Sequence, residues 1–311
     1  MTVVTFTMNP AIDVSAAVPR VVPRYKLRCT SVRRDPGGGG INVARVVARL
    51  GGDVLAIYPV GGPIGDLLKR LVDAEAVASQ TIALSQDTRE SFTVGEEETG
   101  KQYRFVLPGP ELASDEWGQC LATVAQIRSP PAFFVASGSM PTGVPNDFLA
   151  RAVRAAKALG AKVVVDTSGP ALAAALRERV FLIKPNLREL QELVGSPLNE
   201  REQQLAAARS LIEKRAVETV ALTLGHLGAL LVTPRQAFYA PALPVTPVSV
   251  VGSGDSFLGA MMWSLDAGQG IEEAFRHGVA AGSAALLSAG TGLCTAEGVR
   301  RLYSEVHLQR L

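Results

Sequence analysis

Three cysteines and three histidines are all that this chain offers to a metal or redox centre. Cys29, Cys120 and Cys294 stand far apart, with no CxxC pair and no histidine at ligand spacing. That argues against a zinc site or a disulfide framework and fits a reducing, cytoplasmic compartment. With only His226, His277 and His307 present, a histidine-ligated metal is not expected. No apolar run is long enough for a membrane span, and the opening residues lack a basic n-region and meet Asp13 too soon for a signal peptide. Charge of one sign is missing as well. The 31 basic residues are offset by 29 acidic ones, so nothing global points to nucleic acid or a membrane surface. Aromatics make up only 5%, and no repeat or low-complexity segment interrupts the chain.

What is present is an aliphatic chain, 47% hydrophobic, whose β-prone runs alternate with helical stretches. Strands are expected at 3–8, 54–60, 80–84, 132–136, 162–165, 181–183, 219–224 and 229–232. Helices are expected at 43–50, 65–74, 114–127, 145–159, 200–215, 258–265, 271–287 and 295–308. This alternation implies an α/β fold with a doubly wound, mostly parallel central sheet and helices on both faces. One domain over 1–311 accounts for it, with two β-prone inserts, about 14–34 and 86–107, pairing into a small lid. Pro19 and Pro23 break the first insert, which with its flank carries Arg20, Arg24, Lys26, Arg28, Arg33 and Arg34. They serve either as a charge-protected edge or as a flap bringing positive charge to a phosphorylated ligand. Arg89 and Arg104 on the second insert either add two more cations to that lid or are ion-paired surface residues.

Two glycine-bearing turns carry the chemistry. Gly252-Ser253-Gly254-Asp255 precedes an apolar run, so its amides lie at a helix N-terminus, where an anion is favoured. Asp255 beside such a nest is placed to take a proton from an attacking hydroxyl, or else it is a helix N-cap. Gly37-Gly38-Gly39-Gly40-Ile41-Asn42 opens another helix and is expected to let a ligand approach bare backbone rather than to serve packing. The spacing fits neither the dinucleotide fingerprint nor a Walker loop. Asn42 either bonds a ligand hydroxyl or caps its helix. Asn186 and Glu189, three apart at a helix start, either hold hydrated Mg²⁺ through water or cap that helix. Ser137-Gly138-Ser139 follows a strand at the edge where open α/β sheets bind ligands. His226 reads as an exposed turn residue.

Gly37 to Arg45 and Gly252 to Asp255 together resemble the two signatures of the ribokinase-like (PfkB) carbohydrate kinases, and Lys184-Pro185-Asn186-Leu187-Arg188-Glu189 resembles that family's Asn-x-x-Glu motif. The all-glycine first motif, 26–30 and 102–106 are similar to its bacterial minor-type branch; relatives acting on other sugar phosphates usually carry Lys at the position of Gly39. The resemblance implies ATP-dependent phosphorylation of fructose 6-phosphate at its 1-hydroxyl. Asp255 is then the base and the amides of Gly252, Ser253 and Gly254 the anion hole. Asp13, Gly38, Gly39, Asn42 and Ser139 meet the sugar, and Arg89 and Arg104 its 6-phosphate. Lys26 and Arg28 reach that phosphate from the partner's lid in a homodimer. Lys184, Asn186, Thr223, Gly225 and Gly228 line the ATP site, with Glu189 and Asn186 organising Mg²⁺. Val250, Ser288 and Gly292 depart from the branch near the family's potassium site, which leaves K⁺ use to Ser249 and backbone carbonyls. Tagatose 6-phosphate or fructose 1-phosphate are the alternative acceptors, and an inactive sugar-phosphate- or nucleotide-binding regulator is the non-enzymatic one.

Overall fold

Runs such as Val3–Phe6, Phe133–Ser137 and Val180–Ile183 are apolar at nearly every position, the pattern of strands covered on both faces. The computed structural model describes residues 2–311. In chain order come β1 (Val3–Phe6), β2 (Ala11–Val18), β3 (Thr30–Gly37), α1 (Gly39–Arg49), β4 (Val54–Val60), α2 (Gly62–Ala74), β5 (Ala78–Ala83), β6 (Arg89–Glu96), β7 (Gln102–Val106) and α3 (Ser114–Ala125). These are followed by β8 (Phe133–Ser137), α4 (Phe148–Ala158), β9 (Lys162–Asp166), α5 (Gly169–Leu176), β10 (Val180–Ile183), α6 (Leu187–Val194), α7 (Arg201–Glu213) and β11 (Val217–Thr223). The remainder is β12 (Ala229–Val232), β13 (Ala237–Ala240), α8 (Ser253–Asp266), α9 (Ile271–Ala285), α10 (Ala296–Tyr303) and β14 (Gln309–Arg310).

Ten strands form one sheet in the order β14-β13-β12-β11-β10-β9-β8-β1-β4-β5. It is parallel from β5 to β11 and antiparallel from there to β14. Alternate residues of each strand feed opposite cores. Val3 and Val135 join a cluster with α1, α8 and α9, while Val4 and Phe134 join one with α3, α4 and α5. After β5 the chain returns to the other side of β1, so the winding reverses between β1 and β8. A crevice at the carboxyl ends of the strands is expected at that reversal.

The two inserts pair into a second sheet, β3-β2-β6-β7. β2 runs parallel to β6, in register from Ala11 opposite Arg89 to Val18 opposite Glu96. Pro36 is tolerated because β3 is an edge strand. The first lid strand starts at Ala11, earlier than the expected boundary.

Three other features differ from the expectation. α5 was not anticipated, although Pro170 in its first turn and the alanines after it suit a helix start. β13 was not anticipated either, and it exists by pairing with β12 rather than by its own pattern. The last helix stops at Tyr303, short of Leu308, because Val306 turns into the core and Gln309–Arg310 pair with β13.

Candidate active site

Adjacent parallel strands deliver the polar residues in sheet order. β8 ends in Ser137 just before Gly138, β9 in Asp166, β10 leads into Lys184, and β11 ends at Thr223. α1 and α8 pack against each other over this edge. Two clefts result. One, of about 420 Å³, is lined by Asp13, Gly38, Gly39, Asn42, Arg89, Arg104, Ser139, Asp166, Glu189, Gly252 and Asp255, among others. The second, of about 540 Å³, includes Asn186, Thr223, Gly225, Gly228, Ser253, Gly254 and an apolar wall with Leu243, Val245, Val279 and Leu286. Lys184 and Val250 belong to both. The turn 252–254 and Lys184 therefore stand between a polar chamber and an apolar one.

Asp255 sits in the first turn of α8, whose N-cap is Gly252 in the left-handed conformation (φ 76°). Asp255 does not cap its helix; its Oδ2 accepts a hydrogen bond from Asn42 Nδ2 at 2.8 Å. Burial and the nearby Asp166 push its carboxyl up to about 6, against the opposing pull of Asn42 and Lys184. Asn42, four residues past the N-cap Gly38, is not a cap either. Residues 213 apart in sequence thus meet in one hydrogen bond.

Lys184 is buried, with Nζ 3.2 Å from Asp166 Oδ1. Burial alone would lower its ammonium, but Asp166, Asp255 and Glu189 together hold it above its ordinary value. Any side chain on Gly254 would crowd this ammonium, because an added Cβ would lie 3.2 Å from Nζ. In the polar chamber, Asp13 Oδ2 accepts from Thr291 Oγ1 at 2.9 Å. Burial raises the Asp13 carboxyl, countered by Thr291, Arg104 and Arg89. Arg89 donates to the Leu107 and Asn9 carbonyls at 3.1 and 3.0 Å, while its buried Nε has no partner. Ser139 Oγ accepts from Asn9 Nδ2 at 3.2 Å.

One expectation needs correction. The four glycines of the first motif are needed for packing after all. Added Cβ atoms would lie 2.6 Å from Asp13 Oδ2 at Gly37, 2.8 Å from Thr7 Cγ2 at Gly38, 2.2 Å from Ser137 Oγ at Gly39 and 2.5 Å from Thr7 Oγ1 at Gly40. The close approach is made by the chain itself, and only Gly38 and Gly39 also face the chamber. Asn186 and Glu189, for their part, are joined as a capping box. Asn186 Oδ1 accepts from the Glu189 amide at 2.9 Å and Glu189 Oε2 from the Asn186 amide at 2.8 Å. Lys26 and Arg28 are exposed on the loop between β2 and β3 and line neither cleft. His226 is exposed at the rim of the apolar cleft.

Sequence reasoning gave no role to Asp166, Thr291 or Arg45. Asp166 had a signal, since an acidic residue closing the Lys162–Val165 strand faces the ligand edge. Arg45 had one too, closing the first glycine motif one helical turn after Asn42, whereas Thr291 had none, for its contacts span long sequence separations.

The profile of the pfkB family carbohydrate kinases matches residues 3–297, and the chain belongs to that family. It is 44% identical over 301 residues to the ATP-dependent 6-phosphofructokinase isozyme 2 of Mycobacterium tuberculosis (strain ATCC 25618 / H37Rv), covering 97% of this chain and 88% of the relative. The protein of that description from Escherichia coli (strain K12) is 41% identical, over 96% of this chain and 97% of its own. A 1-phosphofructokinase from Xanthomonas campestris pv. campestris is 32% identical, over 96% and 95%. Among solved structures, phosphofructokinase-2 from Escherichia coli in complex with substrates and products superposes with a TM-score of 0.94 at 40% identity, covering 98% of this chain and 99% of that one. A tetrameric inhibited form of that enzyme gives 0.91 at 39%, over 97% and 98%. Among the described residues no helix is long and apolar enough to cross a membrane.

Proposed function

We propose that this chain transfers the γ-phosphoryl of ATP to the 1-hydroxyl of fructose 6-phosphate, giving fructose 1,6-bisphosphate and ADP. The observation that carries this reading is the meeting of Asp255 with Asn42 at the wall between the two clefts. The polar chamber suits a sugar phosphate, with Arg89 and Arg104 for the 6-phosphate and Asp13, Gly38, Gly39, Asn42 and Ser139 for the rest. The apolar chamber suits a nucleotide base, and its phosphates extend past Thr223, Gly225 and Lys184 towards the 252–254 turn.

Asp255 accepts the hydroxyl proton as the oxygen attacks the γ-phosphorus and the bond to the ADP oxygen breaks, with the phosphoryl charge facing the 252–254 amides. Lys184 screens the same charge. Among the described residues no cluster of three acidic, cysteine or histidine side chains could hold a metal directly. Glu189, with one carboxylate oxygen outside the capping box, and nearby Asp166 fit a hydrated Mg²⁺ held through its waters. When bound there, Mg²⁺ neutralises nucleotide phosphate charge. Three carbonyls near the family's potassium site are already engaged: Ser288 Oγ donates to that of Leu293, and Arg49 to those of Gly292 and Cys294. A dimer through the lid is supported by exposed Val32, Phe105, Val106 and Leu107, and it gives Lys26 and Arg28 a phosphate to meet.

Sequence similarity favours fructose 6-phosphate over fructose 1-phosphate, since the 6-phosphofructokinase relatives reach 44% and 41% identity and the 1-phosphofructokinase 32%. The deciding experiment is a coupled assay of ADP release against fructose 6-phosphate, tagatose 6-phosphate and fructose 1-phosphate. The highest kcat/KM is expected for fructose 6-phosphate. Preference for another acceptor would reassign the substrate, and no ADP release with any of them would make the chain a binding protein.

A further inference from the structure

Arg45 is the largest side chain that is wholly buried, and the catalytic reading above leaves it without a task. Its Nη1 donates to Asn42 Oδ1 at 3.0 Å, to the Pro36 carbonyl at 2.9 Å and to the Thr291 carbonyl at 3.4 Å. Its Nε donates to Glu75 Oε1 at 2.8 Å, and Nη2 is ion-paired with the same carboxylate. Asp35 Oδ1 lies 3.9 Å from Nη2. Arg49, one turn further along α1, holds the other oxygen of Glu75 at 2.7 Å. The Arg49 hydrogen bonds go to Glu75 and to the Gly292 and Cys294 carbonyls.

We propose that Arg45, held by Glu75, is a positioning residue that fixes the side-chain amide of Asn42 and through it the proton-accepting carboxylate of Asp255. A guanidinium has donors only, and an ionised carboxylate has acceptors only. Asn42 lies between one and the other, so just one orientation of its amide satisfies both. The reversed amide would set its NH2 against the Arg45 donors and its carbonyl against Asp255. A buried donor or acceptor left unpaired is costly, so the arrangement is self-selecting. Glu75 takes up the buried positive charge of Arg45, which leaves Nη1 free to serve Asn42 and the Thr291 carbonyl. Because Thr291 also bonds Asp13, the same guanidinium ties together two of the carboxylates of the polar chamber, Asp13 and Asp255.

The inference rests on the kinase reading, and the two fail in different ways. If the kinase reading fails, the wild-type protein releases no ADP with any hexose phosphate. If the positioning role fails, the wild type is active and the variants below do not couple. Arg45→Met is expected to lower kcat roughly 10²-fold, the scale of a misplaced reacting group, with KM for ATP little changed. The acid limb of kcat should move to higher pH, because Asp255 loses a fixed donor while Asp166, Lys184 and Asp13 still face it. Arg45→Lys should recover part of the rate. Arg49→Met, which loosens Glu75 without touching Asn42, should cost thermal stability out of proportion to kcat. In an Asn42→Ala background Arg45→Met should cost nothing further in kcat. Should Arg45→Met not fold, Glu75→Gln with and without Asn42→Ala carries the same coupling test. Equal losses of kcat with and without Asn42, or losses that track melting temperature alike in the Arg45 and Arg49 variants, would overturn the proposal.

Discussion

At the scale of single residues, the carboxylate of Asp255 carries a conflict that can be measured. Partial burial in the cleft and the neighbouring Asp166 raise it to about 6 from 3.8, so the charged form that accepts a proton is the less comfortable one. Turnover is therefore expected to fall as pH drops through about 6. A kcat profile flat down to pH 5 would contradict that. Stability runs the other way. Since the folded value is raised, the stabilising contribution is present below 3.8 and is lost as pH rises through about 6. Asp255→Asn should consequently melt at or above the wild-type temperature at pH 8, with the gap narrowing in acid, as followed by scanning calorimetry. Its turnover should fall by about 10²–10⁴-fold, the usual worth of a general base. Asn186 and Glu189 show why such residues cannot be assigned from sequence alone. The pattern that fits a water-held cation is also the pattern of a capping box, and the structure contains the capping box.

Elements explain which parts of the site were legible beforehand. Both glycine turns and the Asn-x-x-Glu motif are local, so their helices and their strand-end positions could be read from neighbouring residues. Thr291 acts across the fold, and β13 and β14 form only through partners distant in the chain; nothing nearby announces them. The purpose of the four glycines was misjudged for a related reason: their tight neighbours, Thr7 just past β1, Asp13 on β2 and Ser137 on β8, come from elsewhere in the fold. Gly252 shows what one such position controls. Its φ of 76° suits glycine, and an added Cβ would lie 2.5 Å from Leu293 Cδ2. Gly252→Val is expected to distort the start of α8 and to cost about 1–3 kcal/mol in urea unfolding, with turnover lost alongside. Glu189→Gln separates the two roles of that residue, because Gln still accepts at a capping box. It should keep the melting temperature of the wild type while raising the Mg²⁺ concentration needed for half-maximal rate. An unaltered Mg²⁺ requirement would remove Glu189 from the metal.

On the scale of the whole molecule, the lid is a sheet whose two edge strands expose apolar side chains, Val32 (56%) on β3 and Phe105 (55%) and Val106 (60%) on β7. A surface of that kind is a docking face or an aggregation hazard. Val106→Asp is expected to shift the protein to monomers in sedimentation velocity. It should also raise KM for fructose 6-phosphate more than KM for ATP, because Lys26 and Arg28 would lose the neighbouring chamber. A monomeric wild type would remove the lid-mediated dimer from the scheme. The lid also offers an experimental handle. Cys29 lies exposed on the β2–β3 loop, whereas Cys120 and Cys294 are buried. A maleimide dye should therefore attach at one place per chain without any mutation. Its fluorescence would follow that flap in real time while hexose phosphate and nucleotide come and go.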